Sequence, residues 1–396
     1  MRFLILNVDY PDFINWLYTK HPGLEKQPFG EQMKVRNENL NFRADFYSEN
    51  LRKLGHEAHE IYANNKYIQT AWTREHGIVV KDPTPIFQAR PMLLRARRYA
   101  AATPLHYLVP RFRPLRRLVL GLPPSLYHIL AAQIKHYKPD VLINTSMFWV
   151  GSTFLKTMKP YVHLLVGQAG TWHINKLLEL EDLHCYDLIV SPRPPPVQWF
   201  REKGVPAELL RLGFEPRVLS YLTEHENATI PTSFVGAWVS FHNSRVALLD
   251  NLCVRFDIQV WGPGIEAFPR KSAIRKAYMG QAWGLEMYQI LARSKITLNH
   301  HGDIPPYASN MRLYEATGVG TLLITDWKEN LHELFEPDKE VVAYRSADEC
   351  AELIQYYLDH EAEREAIARA GHQRTLKDHT YFRRMAELVD IVSTYL

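Results

Sequence analysis

The chain has 396 residues, 46% of them hydrophobic and 23% charged, and a formal net charge of +4. That balance excludes a disordered or fibrous protein, and the length suits two cores of roughly 150 to 200 residues better than one. Three widely separated cysteines, Cys185, Cys253 and Cys350, show no metal or redox spacing. Their odd number argues against a disulfide framework, so a reducing, cytoplasmic setting is expected.

Residues 2–8 form a short apolar run ending at Asp9, too brief for a signal peptide and read as a first buried strand. No later window reaches the roughly 20 apolar residues of a membrane span. Further strands are expected at 57–62, 140–144, 161–166 and 187–190, then at 233–235, 257–260, 295–299, 321–324 and 340–343. Amphipathic segments at 38–54, 125–137, 243–252, 285–292, 310–318 and 346–358 read as covering helices. Alternation of this kind predicts an α/β fold of two Rossmann-like domains, each with a parallel sheet. The polar stretch from 213 to 231 reads as a linker, giving domains 1–220 and 221–375. Beyond 360 the chain reads as helical throughout, and residues 376–396 are expected to pack back on the first domain. Pro194-Pro195-Pro196 reads as a helix start.

The most informative stretch runs from Ser309 to Asp326: a polar loop, a short helix, a glycine stop and an apolar strand ending on an acid. In an open α/β sheet such a junction lies at the carboxyl edge, where ligands bind. The free backbone N–H groups of Ser309, Asn310, Met311 and Arg312 suit a phosphate, and Glu315 suits ribose hydroxyls. Gly236, followed by His242 and Arg245 at a helix start, suits a leaving diphosphate. A cation there stabilises charge that grows as the glycosyl bond breaks. A solvated helix residue is the competing reading of Arg245. Trp261 and Gly262, at a strand end, suit one wall of a nucleobase pocket, because bare backbone lets a flat ring approach. His301, in His300-His301-Gly302-Asp303, faces the same edge, with a plain polar loop as its alternative. His56-Glu57-Ala58-His59-Glu60 has the wrong spacing for zinc and reads as a surface segment. No Asp-x-Asp occurs, so a metal-free mechanism with no cofactor beyond the donor substrate is expected.

In order and spacing, much of the second half resembles the CgeB-like (spore maturation protein type) glycosyltransferases. The resemblance is carried by Gly280, Leu298-Asn299-His300, Asn310 to Ala316, Leu322 to Asp326, Leu334 to Pro337, Tyr356-Tyr357-Leu358, Ala370-Gly371 and His379-Thr380-Tyr381. It implies a GT-B architecture, two Rossmann-like domains facing across a cleft, with a nucleotide diphosphate sugar held mainly by the second. Glu315 matches the later glutamate of the E-x7-E element, which binds the donor ribose in related retaining enzymes. Tyr307 stands where that element has its first glutamate, and leaves the stereochemistry open. The first half resembles the family less closely, through Asn7 to Pro11, Asp45-Phe46-Tyr47 and Leu54 to Ala58. Asp9 and His173 are its candidates for acceptor binding or general-base catalysis, each with a loop hydrogen bond as the alternative.

Between 90 and 117, Arg90, Arg95, Arg97, Arg98, Arg111, Arg113, Arg116 and Arg117 alternate with leucines and aromatics. Such a segment suits peripheral contact with an anionic inner-membrane surface, or a solvated insertion; no nucleic-acid motif accompanies it. The reading as a whole is a metal-independent glycosyltransferase with an unassigned acceptor. A nucleotide-sugar epimerase and a non-catalytic binding module are its alternatives.

Overall fold

The computed structural model describes residues 1–80, 122–147, 149–170, 181–222, 228–237, 243–302 and 307–396. The arginine-rich segment 90–117, His173 and His242 lie outside the described residues. The chain divides into two compact units. One comprises Met1–Glu38, Arg43–Leu210 and Met385–Leu396, the other Asn39–Phe42 and Arg211–Arg384.

The first unit is built on a six-stranded parallel sheet in the order β2-β1-β3-β4-β5-β6. Its strands are β1 Arg2–Asn7, β2 Glu57–Tyr62, β3 Val141–Asn144, β4 Leu164–Gln168, β5 Leu188–Ser191 and β6 Ala207–Leu209. Side chains alternate between faces, so an apolar run means burial on both. Leu4 and Leu6 of β1 join one core with Ile129, Leu130 and Ile134 of the helix Pro124–Tyr137. Phe3 and Ile5 point the other way, against Met385, Leu388 and Val392 of the final helix Tyr381–Ser393. Each such side chain taken fully out of water contributes about 1.5–3 kcal/mol, which is why the last helix is held without a strand of its own to cover.

The second unit has its own six-stranded parallel sheet, in the order β12-β11-β10-β7-β8-β9. The strands are β7 Ile230–Val235, β8 Ile258–Trp261, β9 Tyr278–Gly280, β10 Ser294–Asn299, β11 Leu322–Asp326 and β12 Val342–Tyr344. From β7 the chain winds outward through β8 and β9, then returns to the other side of β7 for β10, β11 and β12. The reversal between β7 and β10 is the switch point at which open α/β sheets bind ligands.

Three features differ from the sequence reading. The three-residue edge strands β6 and β9 were not expected; Ala-Glu-Leu and Tyr-Met-Gly carry no apolar run. Of the helix expected at 38–54 only Phe46–Lys53 is helical, and a preceding helix, Phe29–Glu38, ends where it was to begin. The break between them contains Leu40 and Arg43 at positive φ (54° and 63°). Its residues 39–42 are counted with the second unit, where the Asn39 carbonyl accepts the Leu285 N–H at 2.7 Å. A β-carbon on Gly284 would stand 2.1 Å from that carbonyl, so only glycine fits.

The third difference concerns Glu60, which belongs to the segment expected on the surface but is buried. Its carboxylate accepts Asn7 Nδ2 (2.5 Å), the Ser48 N–H (3.0 Å) and Tyr62 Oη (3.1 Å). Burial pushes the carboxyl up from 4.5 to about 7, against the opposing Ser48 hydrogen bond and the Arg36 charge. The native state therefore keeps this proton to higher pH than the unfolded chain. Its stabilising contribution is complete below pH 4.5 and lost as the pH rises to about 7. Urea unfolding should show the first unit less stable at pH 8 than at pH 5, by at most roughly 3 kcal/mol from this group. Glu60→Gln should flatten that difference, and an unchanged pH profile would place the titration elsewhere.

Candidate functional site

The candidate residues of the second unit gather at the carboxyl edge of its sheet. Gly236 follows β7, Trp261 ends β8 and Gly262 follows it, His301 follows β10, and Ser309 to Glu315 lead from β10 towards β11. The loops after β7 and β8 touch backbone to backbone. The Gly236 N–H donates to the Trp261 carbonyl at 3.0 Å, and a β-carbon on Gly262, whose φ is 141°, would lie 1.9 Å from the Gly236 carbonyl oxygen. The structure thus gives Gly262 a packing reason to be glycine.

Arg245 lies in the first turn of the helix Asn243–Arg255 and is buried. Nη1 donates to the Ala237 carbonyl (3.2 Å) and Nη2 to the His300 carbonyl (3.0 Å). The guanidinium therefore ties the loop after β7 to the loop after β10 across the switch point. It is not a solvated helix residue, since the side chain is buried and both terminal nitrogens meet backbone carbonyls.

The helix after the polar loop, Arg312–Gly318, is short. Its Glu315 is 3% exposed and ion-paired with Arg312 (Oε2 to Nη1, 2.9 Å). Burial raises the Glu315 carboxyl above its ordinary value while Arg312 opposes the rise. Arg312 Nη2 also donates to the Val235 carbonyl at 3.0 Å, joining this helix to the end of β7. Asn310 is bound in a reciprocal amide pair with Asn299 (3.2 and 2.8 Å), and Met311 supplies the carbonyl that accepts the Tyr314 and Glu315 N–H groups. Ser309 is half-buried beside them. Tyr307, at the position of the missing glutamate, is half-buried too.

His301 is buried against Asp326, the last residue of β11. The Asp326 Oδ1 atom accepts the His301 backbone N–H (3.0 Å) and lies 2.6 Å from Nδ1, and Oδ2 lies 3.1 Å from Lys328 Nζ. Burial opposes the charge on Asp326. The hydrogen bond from His301 and the neighbouring His301, His300 and Lys328 nevertheless hold its carboxyl below the usual range. An ionised Asp326 can only accept, so the proton of a neutral His301 sits on Nδ1. Its Nε2 has no partner among the described residues. His300 accepts the Gly302 N–H on Nδ1 (2.8 Å), which places its own proton on Nε2, and burial lowers its basicity.

In the first unit Asp9 is buried and its carboxylate is taken by Arg36, through Nε (3.3 Å) and Nη2. Arg36 also stacks on the Tyr62 ring at 3.5 Å. The carboxylate that the sequence offered to an acceptor is thus engaged by a buried cation. Arg36, Lys328 and Asn330 were not singled out in the sequence. Asn330 grips both backbone groups of Ala308 (2.6 and 3.0 Å) and so holds the polar loop. Among the described residues, no three His, Cys, Asp or Glu side chains gather as a metal site.

One concavity of about 690 Å³ opens beside these residues, at the carboxyl ends of β10, β11 and β12. It is lined by His300, Asp326, Lys328 and Arg345 among others, and by none of Gly236, Trp261, Gly262 or Ser309 to Glu315.

The same two-unit fold occurs in solved glycosyltransferases. HepE of Anabaena, in complex with UDP-glucose, superposes with a TM-score of 0.60 at 12% identity, over 100% of both chains. A glycosyltransferase from Rickettsia africae gives 0.56 and sucrose-phosphate synthase from Thermosynechococcus elongatus 0.55, each at 12% identity over 100% of this chain and 98% of the other. No curated protein matches in sequence. The protein has the GT-B fold of glycosyltransferases. Residues 245–390, which include most of the second unit, match the model of the glycosyl transferase-like family.

Proposed function

We propose that the protein transfers a glycosyl group from a nucleotide diphosphate sugar to an acceptor hydroxyl without a metal ion, and that it is of CgeB-like type. The observation that carries this reading is the position of Glu315. It is a nearly buried carboxylate at the switch-point edge, inside the segment that matches the glycosyl transferase-like family. HepE, whose fold is similar, is a complex with UDP-glucose, which supports a donor of that chemical class.

In this reading the bond between the anomeric carbon and the diphosphate breaks, the acceptor oxygen bonds to that carbon, and its proton passes to a base. Backbone N–H groups of Ser309 to Arg312, with Gly236 and Arg245 across the switch point, face the charge that grows on the leaving diphosphate, and His242 is assigned to the same anion. Trp261 and Gly262 flank the base, and His301 lies on the sugar side. Because Arg36 holds Asp9, His173 keeps the general-base role and Asp9 orders the end of β1. The arginine-rich segment 90–117 supplies peripheral contact with anionic lipid.

Calorimetry against a panel of nucleoside diphosphates tests the donor assignment. Glu315→Ala is expected to raise the dissociation constant roughly ten- to hundredfold, the loss of a hydrogen bond of about 1.5–3 kcal/mol to a charged group. Glu315→Gln, which keeps the volume beside Arg312, separates this loss from local unfolding. Unchanged affinity in both variants would remove Glu315 from the ribose site.

A further inference from the structure

The concavity beside the candidate donor residues brings hydrogen-bond donors together. Lys328 has a side chain only 13% exposed, and its ammonium has one carboxylate neighbour, Asp326, at 3.1 Å. An ammonium carries three N–H donors, so two have no carboxylate partner among the described residues. The Arg345 guanidinium lies 5.1 Å over the ring of Trp327, an arrangement that limits its rotamers. His300 carries its proton on Nε2, because Nδ1 accepts the Gly302 N–H. Ser244 and Ala347 add the first turns of two helices of 13 residues each, Asn243–Arg255 and Ala347–Asp359. Both present the positive end of a helix to the same space.

The acid in this wall, Asp326, is already covered by His301 and Lys328. Of the acids at the second helix start, Glu349 accepts the Arg345 N–H (2.6 Å) and caps that end together with Ser346, and Asp348 lies 3.6 Å from Arg255. Among the lining side chains, two cations, Lys328 and Arg345, therefore stand against one carboxylate that is already paired.

We propose that this concavity is a second anion site, distinct from the donor residues, that takes the phosphate group of a phosphomonoester. A tetrahedral dianion matches donors arriving from an ammonium, a guanidinium, an imidazole N–H and two helix starts better than a planar carboxylate does. The inference does not depend on the transferase reading, since its residues are not those assigned to the donor.

The test uses the full-length protein and two probes, inorganic phosphate and glycerol phosphate, titrated at constant ionic strength with acetate as the control anion. Binding is read by calorimetry and by tryptophan fluorescence. Saturable binding of both phosphates, with acetate weaker, is expected. Arg345→Gln, at an exposed position, should weaken it about tenfold, and Lys328→Gln at least as much. Glu315→Ala should leave it unchanged. Saturating nucleoside diphosphate should also leave it unchanged, and loss of the phosphate signal in its presence would show that the donor site had been measured. No saturable phosphate binding, or equal binding by wild type and Arg345→Gln, would overturn the proposal. Failure of nucleoside diphosphates to bind at all would sink the donor assignment alone.

Discussion

Replacing Asp9 by alanine is expected to destabilise the first unit by about 3–5 kcal/mol, because it strands the Arg36 guanidinium in the interior. The side chains of the pair are 1% and 0% exposed, so alanine removes the carboxylate that pairs a fully buried cation. Beside it there remain Asn37 Oδ1 at 3.2 Å, the Tyr62 and Phe13 rings and the Glu60 carboxyl, which burial disfavours as an anion. None of these replaces a directly paired carboxylate. The measurement is urea unfolding followed by a probe in the first unit. Asp9→Asn is the companion variant: it keeps the shape and an acceptor oxygen but removes the charge, so it should lose less stability than alanine. If Asp9 only orders the strand end, Asp9→Asn will keep turnover under conditions where it remains folded. Loss of turnover by Asp9→Asn with stability intact would restore the carboxylate as a reacting group.

Arg245→Ala should lower turnover by on the order of 10²-fold while weakening donor binding much less, the pattern of a group that matters most as charge builds on the leaving phosphate. Its hydrogen bonds to the Ala237 and His300 carbonyls give the expectation a structural basis. Loss of the guanidinium frees two loops at the switch point, and a displacement of about 1 Å in such positioning can by itself cost about 10²-fold. Arg245→Lys keeps the charge but lacks the planar fork that reaches two carbonyls at once, and should recover little. Turnover preserved at saturating donor in Arg245→Ala would show that the residue only tethers substrate.

Burial of the sheets was legible because a strand covered on both faces must be apolar throughout. Residues 2–7 and 322–326 show such runs and are β1 and β11. Edge strands lack that constraint, and so β6 and β9 left no trace in the pattern. The break at residues 39–45, between the helix that ends at Glu38 and the one that begins at Phe46, was equally silent. It depends on positive φ at Leu40 and Arg43, and neither residue type advertises that conformation.

At the candidate site the carboxyl-edge junction could be read directly, since a polar loop, a short helix and an apolar strand must follow one another along the chain. Partner assignment could not be read in this way. His301 meets Asp326 because β10 and β11 are parallel neighbours in a register that sets Asn299 opposite Thr325, and that register is made by pairing across 26 residues. Asp9 meets Arg36 and Glu60 meets Asn7 for the same kind of reason, through packing of elements distant in sequence. The sequence by itself determined the α/β class, the strand ends that carry polar loops and the residue types gathered there, because these follow from local periodicity and composition. Only the tertiary structure decided which carboxylates are already neutralised and which donors converge on open space, because a charge is satisfied by whichever partner packing brings within about 3 Å.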